Sequence, residues 1–289
     1  MKGLLKQRVL KTLMSTTLLV AAFAPLVAQA APMWIERKFI AANELVDEVF
    51  TRRDEASEAI IDHTSWGDFL AKYLSARDDG LNIVAYEEVT EEDKALLDTY
   101  IAGLSEVDVT TLNTDEQLAY WINLYNAVTV QLIIREQPKS SIRKLKKPWD
   151  TPRVTVNGVA LTLNNIESGI IRPVFDDPRI HYAVNCASVG CPNLAMVPYT
   201  GATLEDMLNS SARTYINHPR GARVDGRRVT VSKIYGWYRE DFGVDEAAVL
   251  DHIRQYADEG LKERLAGKSS VSSYEYDWKL NNRNAPGSR

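Results

Sequence analysis

Two cysteines, Cys186 and Cys191, are the only ones in this chain, and they follow one of its four histidines, His181. Alternating apolar residues before the first cysteine predict a buried strand over residues 180–185. A turn rich in glycine and proline follows the strand and presents both thiols. Because binding and catalytic groups are often found on such loops, this segment indicates a functional site.

A nucleophilic thiolate at Cys186 requires a base and an electropositive or helix-terminal setting. His181 is the natural partner, but five residues of extended strand place the two side chains about 16 Å apart and on opposite faces. A Cys186–His181 dyad therefore requires the chain to fold back after Asn185. Without that reversal, His181 is a buried, hydrogen-bonded core residue.

A disulfide between Cys186 and Cys191 is the alternative, because a turn can bring their α-carbons within the required ~4.4–6.8 Å. Either thiol can also be a small core residue. No metal site is predicted, since these thiols and His181 lack a close Cys-x-x-Cys pair and a fourth ligand. No cofactor is predicted either, because the chain contains no phosphate loop or dinucleotide fingerprint.

Glu167 and Arg172 lie near opposite ends of a short predicted helix, residues 164–173, that leads into the strand. As a functional pair, they orient a substrate carboxylate or a catalytic group. As a structural pair, the acid complements the N-terminus of the helix and the base its C-terminus.

A capping box predicts a helix over residues 114–137 that is apolar on nearly every face and is therefore buried in the middle of the domain. Asn123 and Asn126 lie on this helix, where an unpaired amide would cost on the order of 1–3 kcal/mol. These amides either bond neighbouring backbone or polarise a substrate carbonyl. Trp237, in a later aromatic block, either lines a groove or packs against the core.

The remaining pattern mixes helices with antiparallel hairpins, which favours an α+β fold. We expect an antiparallel or mixed sheet with β-hairpins around the buried central helix, and further helices outside. A helical extension over residues 31–79 is expected to pack on a single domain over residues 80–289. Further helices are predicted at 36–59, 65–74, 90–104, 203–217 and 245–265, strands at 83–89 and 274–278, and hairpin turns at Asn157-Gly158 and Asp225-Gly226.

Residues 1–30 have the arrangement of an export signal: a basic start, an apolar run and a small-x-small cleavage site ending at Ala30. The alternative is an uncleaved membrane anchor, although polar residues and Pro25 interrupt a run already shorter than the ~20 residues of a span. Removing four basic residues changes the net charge from −5 to −5 − 4 = −9. The sequence thus predicts a periplasmic or secreted protein with no membrane insertion after cleavage and no affinity for nucleic acid.

Five motifs carry a resemblance to a known family. They are Gln117–Ala127, Asn165–Glu167 with Arg172, residues 181–194, residues 232–243 and Tyr276–Trp278. In this order they resemble an exported bacterial member of domain-of-unknown-function family 547. The resemblance implies that Glu167 and Arg172 face the site. It implies no activity, and plant relatives look like they lack the counterparts of His181 and Cys191.

The first functional hypothesis is an exported thiol-dependent hydrolase or acyltransferase acting on an amide or ester bond. Its catalytic residues are Cys186, His181, Glu167 and Asn126, and its substrate-binding residues are Arg172, Asn123 and Trp237. The alternative is a non-catalytic binding domain in which a Cys186–Cys191 disulfide holds a recognition loop. A redox role is less favoured, because four residues separate the cysteines where oxidoreductases usually have two. The substrate, whether small molecule, peptide or protein, is not specified.

Overall fold

A computed structural model of the chain describes residues 42–285 together with Met33. The expected export signal and the start of the expected 36–59 helix lie outside these residues. Within the described part of the chain, no helix is both long enough and apolar enough to span a bilayer.

The central helix, α3, is preceded by α1 (Thr64–Tyr73) and α2 (Glu91–Ser105) and runs over Thr114–Glu136. Every residue of α3 from Glu116 to Ile134 is buried, which confirms the predicted central helix. The side chain of Asn113, rather than that of Thr114, caps its first turn. Gln137, with a left-handed φ of 44°, ends it.

The described residues form three small sheets. The first pairs β1 (Leu74–Ala76) with β2 (Asn82–Val84), and the second pairs β3 (Val154–Val156) with β4 (Val159–Leu161), both antiparallel. The third joins β5 (Ala222–Asp225) antiparallel to β6 (Arg228–Ser232), and β6 runs parallel to β7 (Ser273–Glu275). The α+β class with mixed strand pairing is therefore confirmed.

Both predicted hairpins are confirmed. The first turns at Asn157 and Gly158, which have φ values of 47° and 79° as a tight two-residue turn requires. The second turns through Gly226, which has a φ of 60°.

Short helices connect and cover the sheets. They are α4 (Leu163–Ile166), a π-helical turn (Glu167–Ile171), α5 (Arg172–Phe175), α6 (Leu204–Ile216), α7 (Ile234–Trp237), α8 (Arg239–Phe242), α9 (Glu246–Tyr256) and α10 (Glu259–Leu265). Two hydrophobic clusters hold these elements together. The larger surrounds α3, and the other lies between the three-stranded sheet and α9.

The prediction of a strand at residues 180–185 is wrong. Residues Pro178–Tyr182 form a 3-10 helix, and the chain then turns. Asp177 starts this helix by accepting the Arg179 N–H, and Pro178 suits its first turn. A short apolar run is compatible with a buried helical turn as well as with a strand, which explains the error.

The prediction of a helix at 36–59 is also wrong over the described residues of that range. Only Glu48–Thr51 is helical there, and it forms a 3-10 turn. Asp54 then bonds the N–H of Ala56 through its side chain, and such local bonding competes with a helix. The helix expected at 245–265 is broken, because Asp258 caps α10 separately. The expected strands at 83–89 and 274–278 are shorter, ending at Val84 and Glu275.

The short helix expected to end at Pro173 instead continues to Phe175. Proline removes the N–H that would bond the carbonyl four residues earlier, that of Gly169. The Gly169 carbonyl instead accepts the N–H of Val46 at 2.9 Å. The chain thereby keeps its helical course beyond Glu167 and Arg172.

Replacing Ile122 by Ala tests the central position of α3. Ile122 is fully buried, so we expect the free energy of unfolding in urea to fall by about 2–5 kcal/mol. Leu96→Ala, at a residue of α2 that is 52% exposed, serves as the control and should cost under about 0.5 kcal/mol. Equal losses in the two variants would contradict this architecture.

Candidate functional site

The two cysteines lie on a loop, residues 183–192, that we call the thiol loop. Asn126 of α3 holds its first residues: the amide nitrogen donates to the Ala183 carbonyl at 2.9 Å, and the amide oxygen accepts the Asn185 N–H at 2.8 Å. The prediction that Asn126 is buried and hydrogen-bonded beside this segment is confirmed. Its amide is bonded to backbone, so it positions the loop.

Asn185 makes the thiol loop fold back. Its side-chain nitrogen donates to the Pro192 carbonyl at 2.7 Å, which joins the two ends of the loop. Its side-chain oxygen accepts the Ala187 N–H at 2.8 Å and supports that residue at a φ of 59°. The reversal after Asn185 that a Cys186–His181 dyad requires is therefore present, but it brings Cys186 to Cys191, while His181 bonds Asp241.

Gly190 places the thiol loop against the segment that follows β7. Its N–H donates to the Asp277 carbonyl at 2.8 Å, and the neighbouring Val189 N–H donates to Lys279. A Cβ at Gly190 would lie 2.8 Å from both the Tyr276 ring and the Asp277 nitrogen. Only glycine allows this approach, which brings the Tyr276 hydroxyl to the thiols.

Cys186 and Cys191 are free thiols whose sulfurs are 2.6 Å apart. The Tyr276 hydroxyl lies 3.1 Å from the Cys186 sulfur and 3.0 Å from that of Cys191. The Cys186 backbone N–H also donates to the Cys191 sulfur at 3.0 Å. Cys191 is buried and Cys186 is partly exposed. Their disulfide remains a prediction.

The pKa values of the two thiols move in opposite directions. Burial raises the pKa of Cys191, but hydrogen bonds from the Cys186 thiol, the Tyr276 hydroxyl and two backbone N–H groups outweigh it and lower the pKa overall. The hydrogen bond to Cys191, together with burial, raises the pKa of Cys186 well above its usual value. The first negative charge on the pair therefore resides on the buried sulfur of Cys191.

His181 lies in a separate, buried ionic cluster and not beside the thiols. Its Nε2 bonds the Asp241 carboxylate at 2.7 Å, and its Nδ1 lies 3.9 Å from Glu167. The Tyr238 ring stacks on the imidazole at 4.2 Å between centroids. Among the described residues, no histidine is hydrogen-bonded to Cys186, so the hypothesised Cys186–His181 dyad is not formed.

Arg172 completes this cluster. Its guanidinium binds both oxygens of Asp241, at 2.5 and 2.8 Å, and lies over the Tyr238 ring. Burial raises the pKa of Asp241, but the hydrogen bonds from His181 and Arg172 outweigh it and lower the pKa to about 2. Glu167, Arg172 and His181 therefore come together in one cluster, and Asp241 of α8 joins them.

Tyr238 packs on the ionic cluster, with its ring against His181 and Arg172. It is hydrogen-bonded to Glu167, and burial is the main reason that its pKa lies well above the usual value. The charges of Glu167 and Cys186 raise that pKa further. The same two groups act on buried Tyr125 of α3. The charges of Glu167 and Cys186 thus both act on these two buried tyrosines.

Asn123 and Trp237 have structural roles: the first bonds backbone and the second packs against other rings. The Asn123 amide bonds the carbonyl and the N–H of Tyr199, at 2.7 and 3.1 Å, and the residue is buried. Trp237 packs against Tyr276 and Trp278, with centroids 4.8 and 5.4 Å apart. It supports the tyrosine that contacts the thiols.

Sequence reasoning missed Asp241, Tyr238 and Tyr276 as site residues. All three belong to motifs that carried the family resemblance, but alternating or clustered aromatic residues are also typical of a core. Within the described range, no group of three or more histidine, cysteine and acidic residues is arranged to hold a metal ion.

The family model described as "Protein of unknown function, DUF547" matches residues 109–216. This segment contains α3, Glu167, Arg172, His181 and the thiol loop, and over it the chain is similar to that family. No curated protein and no solved structure matches the chain. Tyr238, Asp241 and Tyr276 lie beyond the matched segment and complete the site from the C-terminal part.

Asp241→Asn should lower the free energy of unfolding by about 3–5 kcal/mol, because it leaves the buried Arg172 guanidinium without its main counter-charge. Glu240→Gln is the matched control. Glu240 lies 3.2 Å from the same guanidinium but is 50% exposed, and its loss should cost under about 1 kcal/mol. Urea unfolding of both variants measures the difference. A small effect of Asp241→Asn would contradict the buried ion pair.

The contribution of Asp241 to the free energy of unfolding should also depend on pH. Its pKa is lower in the folded protein, about 2, than the ordinary 3.8. The resulting stability is complete above pH 4 and is lost as the pH falls towards 2. The stability difference between the native chain and Asp241→Asn should narrow over this range by up to about 2 kcal/mol, since the carboxylate is partly screened by solvent. A constant difference between pH 5 and 2 would contradict this assignment.

Proposed function

We propose that the site performs thiol–disulfide exchange through Cys186 and Cys191. One observation carries the proposal: two free sulfurs lie 2.6 Å apart, one on a partly exposed residue and the other on a buried residue among hydrogen-bond donors. A pair of this kind has an accessible atom for a partner to reach and a protected atom that can hold negative charge.

In the exchange, a partner thiolate attacks the Cys186 sulfur of the oxidised pair. A bond forms between the partner sulfur and Cys186, the Cys186–Cys191 bond breaks, and its electron pair leaves on Cys191 as a thiolate. A second partner thiolate then attacks the mixed disulfide and releases Cys186, which takes up a proton. The partner is oxidised from dithiol to disulfide, and the protein pair is reduced. A disulfide partner reverses these steps.

Hydrogen bonds around Cys191 favour this assignment of roles. A thiol with a lower pKa leaves faster in an exchange reaction. The Cys186 N–H and the Tyr276 hydroxyl, each 3.0 Å from the Cys191 sulfur, stabilise the thiolate that leaves. The four-residue spacing that weakened a redox role in the sequence is no obstacle, because Asn185 joins the two ends of the loop.

The hydrolase or acyltransferase hypothesis has less support. Cys186 is accessible enough to attack an acyl group, but both ring nitrogens of His181 face carboxylates. The nearest group able to accept the Cys186 proton is Cys191. A binding domain with a permanent disulfide would leave the Tyr276 hydroxyl and the low pKa of Cys191 without a chemical role.

Trapping of mixed disulfides tests the exchange. With an excess of a peptide disulfide, Cys191→Ser should accumulate one peptide on Cys186, because the resolving thiol is absent. Cys186→Ser should accumulate none, because Cys191 is buried, and the native chain should release reduced peptide. Mass spectrometry measures all three. Ester hydrolysis that requires Cys186 but not Cys191 would favour the hydrolase instead, and a disulfide inert to excess dithiol would favour the binding domain.

Tyr276→Phe should make the oxidised pair a weaker oxidant. The change removes one hydrogen bond to the Cys191 thiolate, worth about 1.5 kcal/mol, so the equilibrium with a reference dithiol should shift about tenfold towards the disulfide. Tyr274→Phe is the control, because the Tyr274 hydroxyl bonds Glu246 at 3.0 Å and lies in β7 rather than at the thiols. Equal equilibrium constants for Tyr276→Phe and the native chain would contradict the role of the hydroxyl.

We also propose, from residues 1–30, that the protein is exported and meets an oxidising compartment, which supplies disulfide partners. The mature chain should begin near Ala31 and appear in the periplasmic or external fraction. Mass spectrometry of the fractionated protein measures this. Retention of residues 2–30 in the membrane fraction would contradict export.

A further inference from the structure

A strongly basic segment lies beside the thiol site. Residues 139–147, which we call the basic segment, contain Lys139, Arg143, Lys144, Lys146 and Lys147 and no acidic residue. The whole chain has a net charge of −5. Positive charge is thus concentrated in nine residues of an otherwise acidic protein.

All five cations are exposed, and none forms an ion pair within 4.0 Å with any described residue. Like charges placed this closely repel one another and disfavour the compact state. Several other basic residues in the fold are paired, as Arg179 is with Asp177 and Glu205. An unneutralised cluster of this density has the charge pattern of a surface that meets an anionic partner.

The fold holds the basic segment in place. Ser141 caps a 3-10 turn at Ile142–Lys144, and Ile142 is fully buried. The Ser140 carbonyl accepts the Leu280 N–H at 3.0 Å, which ties the segment to the chain that follows Tyr276. The charges therefore have a defined position relative to the thiol loop.

Aromatic rings connect the basic segment to the thiols. The Arg143 guanidinium lies 5.1 Å from the centre of the Trp278 ring. Trp278 contacts Tyr276, with centroids 4.6 Å apart, and the Tyr276 hydroxyl contacts both sulfurs. Trp149, just after the segment, packs against Trp278 at 5.9 Å. Partly exposed rings thus lie between Arg143 and the reacting atoms.

We propose that the basic segment docks an acidic stretch of a polypeptide whose cysteines exchange with Cys186 and Cys191. This substrate class rests on the proposed function. The continuous path of rings to the thiols favours a polypeptide, because a polypeptide carries both the negative charge and the sulfur. Acidic side chains pair with the lysines, while the indole rings contact the backbone and apolar side chains next to the reacting cysteine.

Removing charges from the basic segment tests whether it is the docking surface. The triple variant Lys144→Gln, Lys146→Gln, Lys147→Gln should lower kcat/KM for a glutamate-rich peptide disulfide about tenfold at low salt, since electrostatic steering contributes factors of this size or more. The loss should shrink at high salt. The rate with uncharged 4,4′-dithiodipyridine should not change, because this probe needs only the thiols.

The matched control is Arg227→Gln, Arg228→Gln, Lys262→Gln, which removes the same charge from exposed positions. Arg227 and Arg228 lie at the hairpin turn, at the opposite end of β6 from Ser232. This control should retain the native rate with the acidic peptide. If both triple variants lost kcat/KM for the acidic peptide equally, the effect would come from net charge alone, and the proposed docking surface would be wrong.

Direct binding separates failure of the surface from failure of the exchange chemistry. A redox-inert glutamate-rich peptide, with serine in place of cysteine, should bind the native chain by fluorescence anisotropy, and the basic-segment variant should bind it about tenfold more weakly. If no disulfide reacts, the exchange proposal fails, and this binding result still decides the surface. Binding to vesicles of anionic lipid without binding to the acidic peptide would overturn the polypeptide assignment.

Discussion

The site depends on one buried hydrogen-bonding group, the side-chain amide of Asn126. It lies on a helix with no exposed face, so its donor and acceptor must find partners inside the protein. These partners are the Ala183 carbonyl and the Asn185 N–H, at the start of the thiol loop. The burial of α3 thereby determines where Cys186 is placed, although α3 supplies no reacting atom.

The polar interior is divided into two parts with different roles. Arg172, Asp241, His181 and Glu167 form an ionic cluster whose members compensate one another. The thiol pair has neutral donors instead, the Tyr276 hydroxyl and backbone N–H groups. Neutral donors stabilise a thiolate without neutralising it, so the sulfur charge remains available for reaction. Tyr238 is hydrogen-bonded to Glu167 of the ionic cluster.

Long, strongly patterned elements were predictable from the sequence, as α3 and the Asn157-Gly158 hairpin show. Their local signals, a continuous apolar surface and a turn that requires positive φ, agree with their tertiary setting. The segment around residues 180–185 was not predictable, because four or five apolar residues fit a strand and a 3-10 turn equally well. The continuation of the helix past Pro173 depended on Val46, more than a hundred residues away, bonding the free Gly169 carbonyl.

The sequence alone identified the thiol segment, the buried asparagines and the Glu167–Arg172 pair, because reactive or polar residues in apolar surroundings are visible locally. Only the tertiary structure decided their partners. His181 bonds Asp241, sixty residues away, and not Cys186. Cys186 and Cys191 contact each other and Tyr276. Tyr276 can approach them because Gly190 has no side chain. Such pairings depend on how distant segments pack, and spacing along one strand carries no information about them.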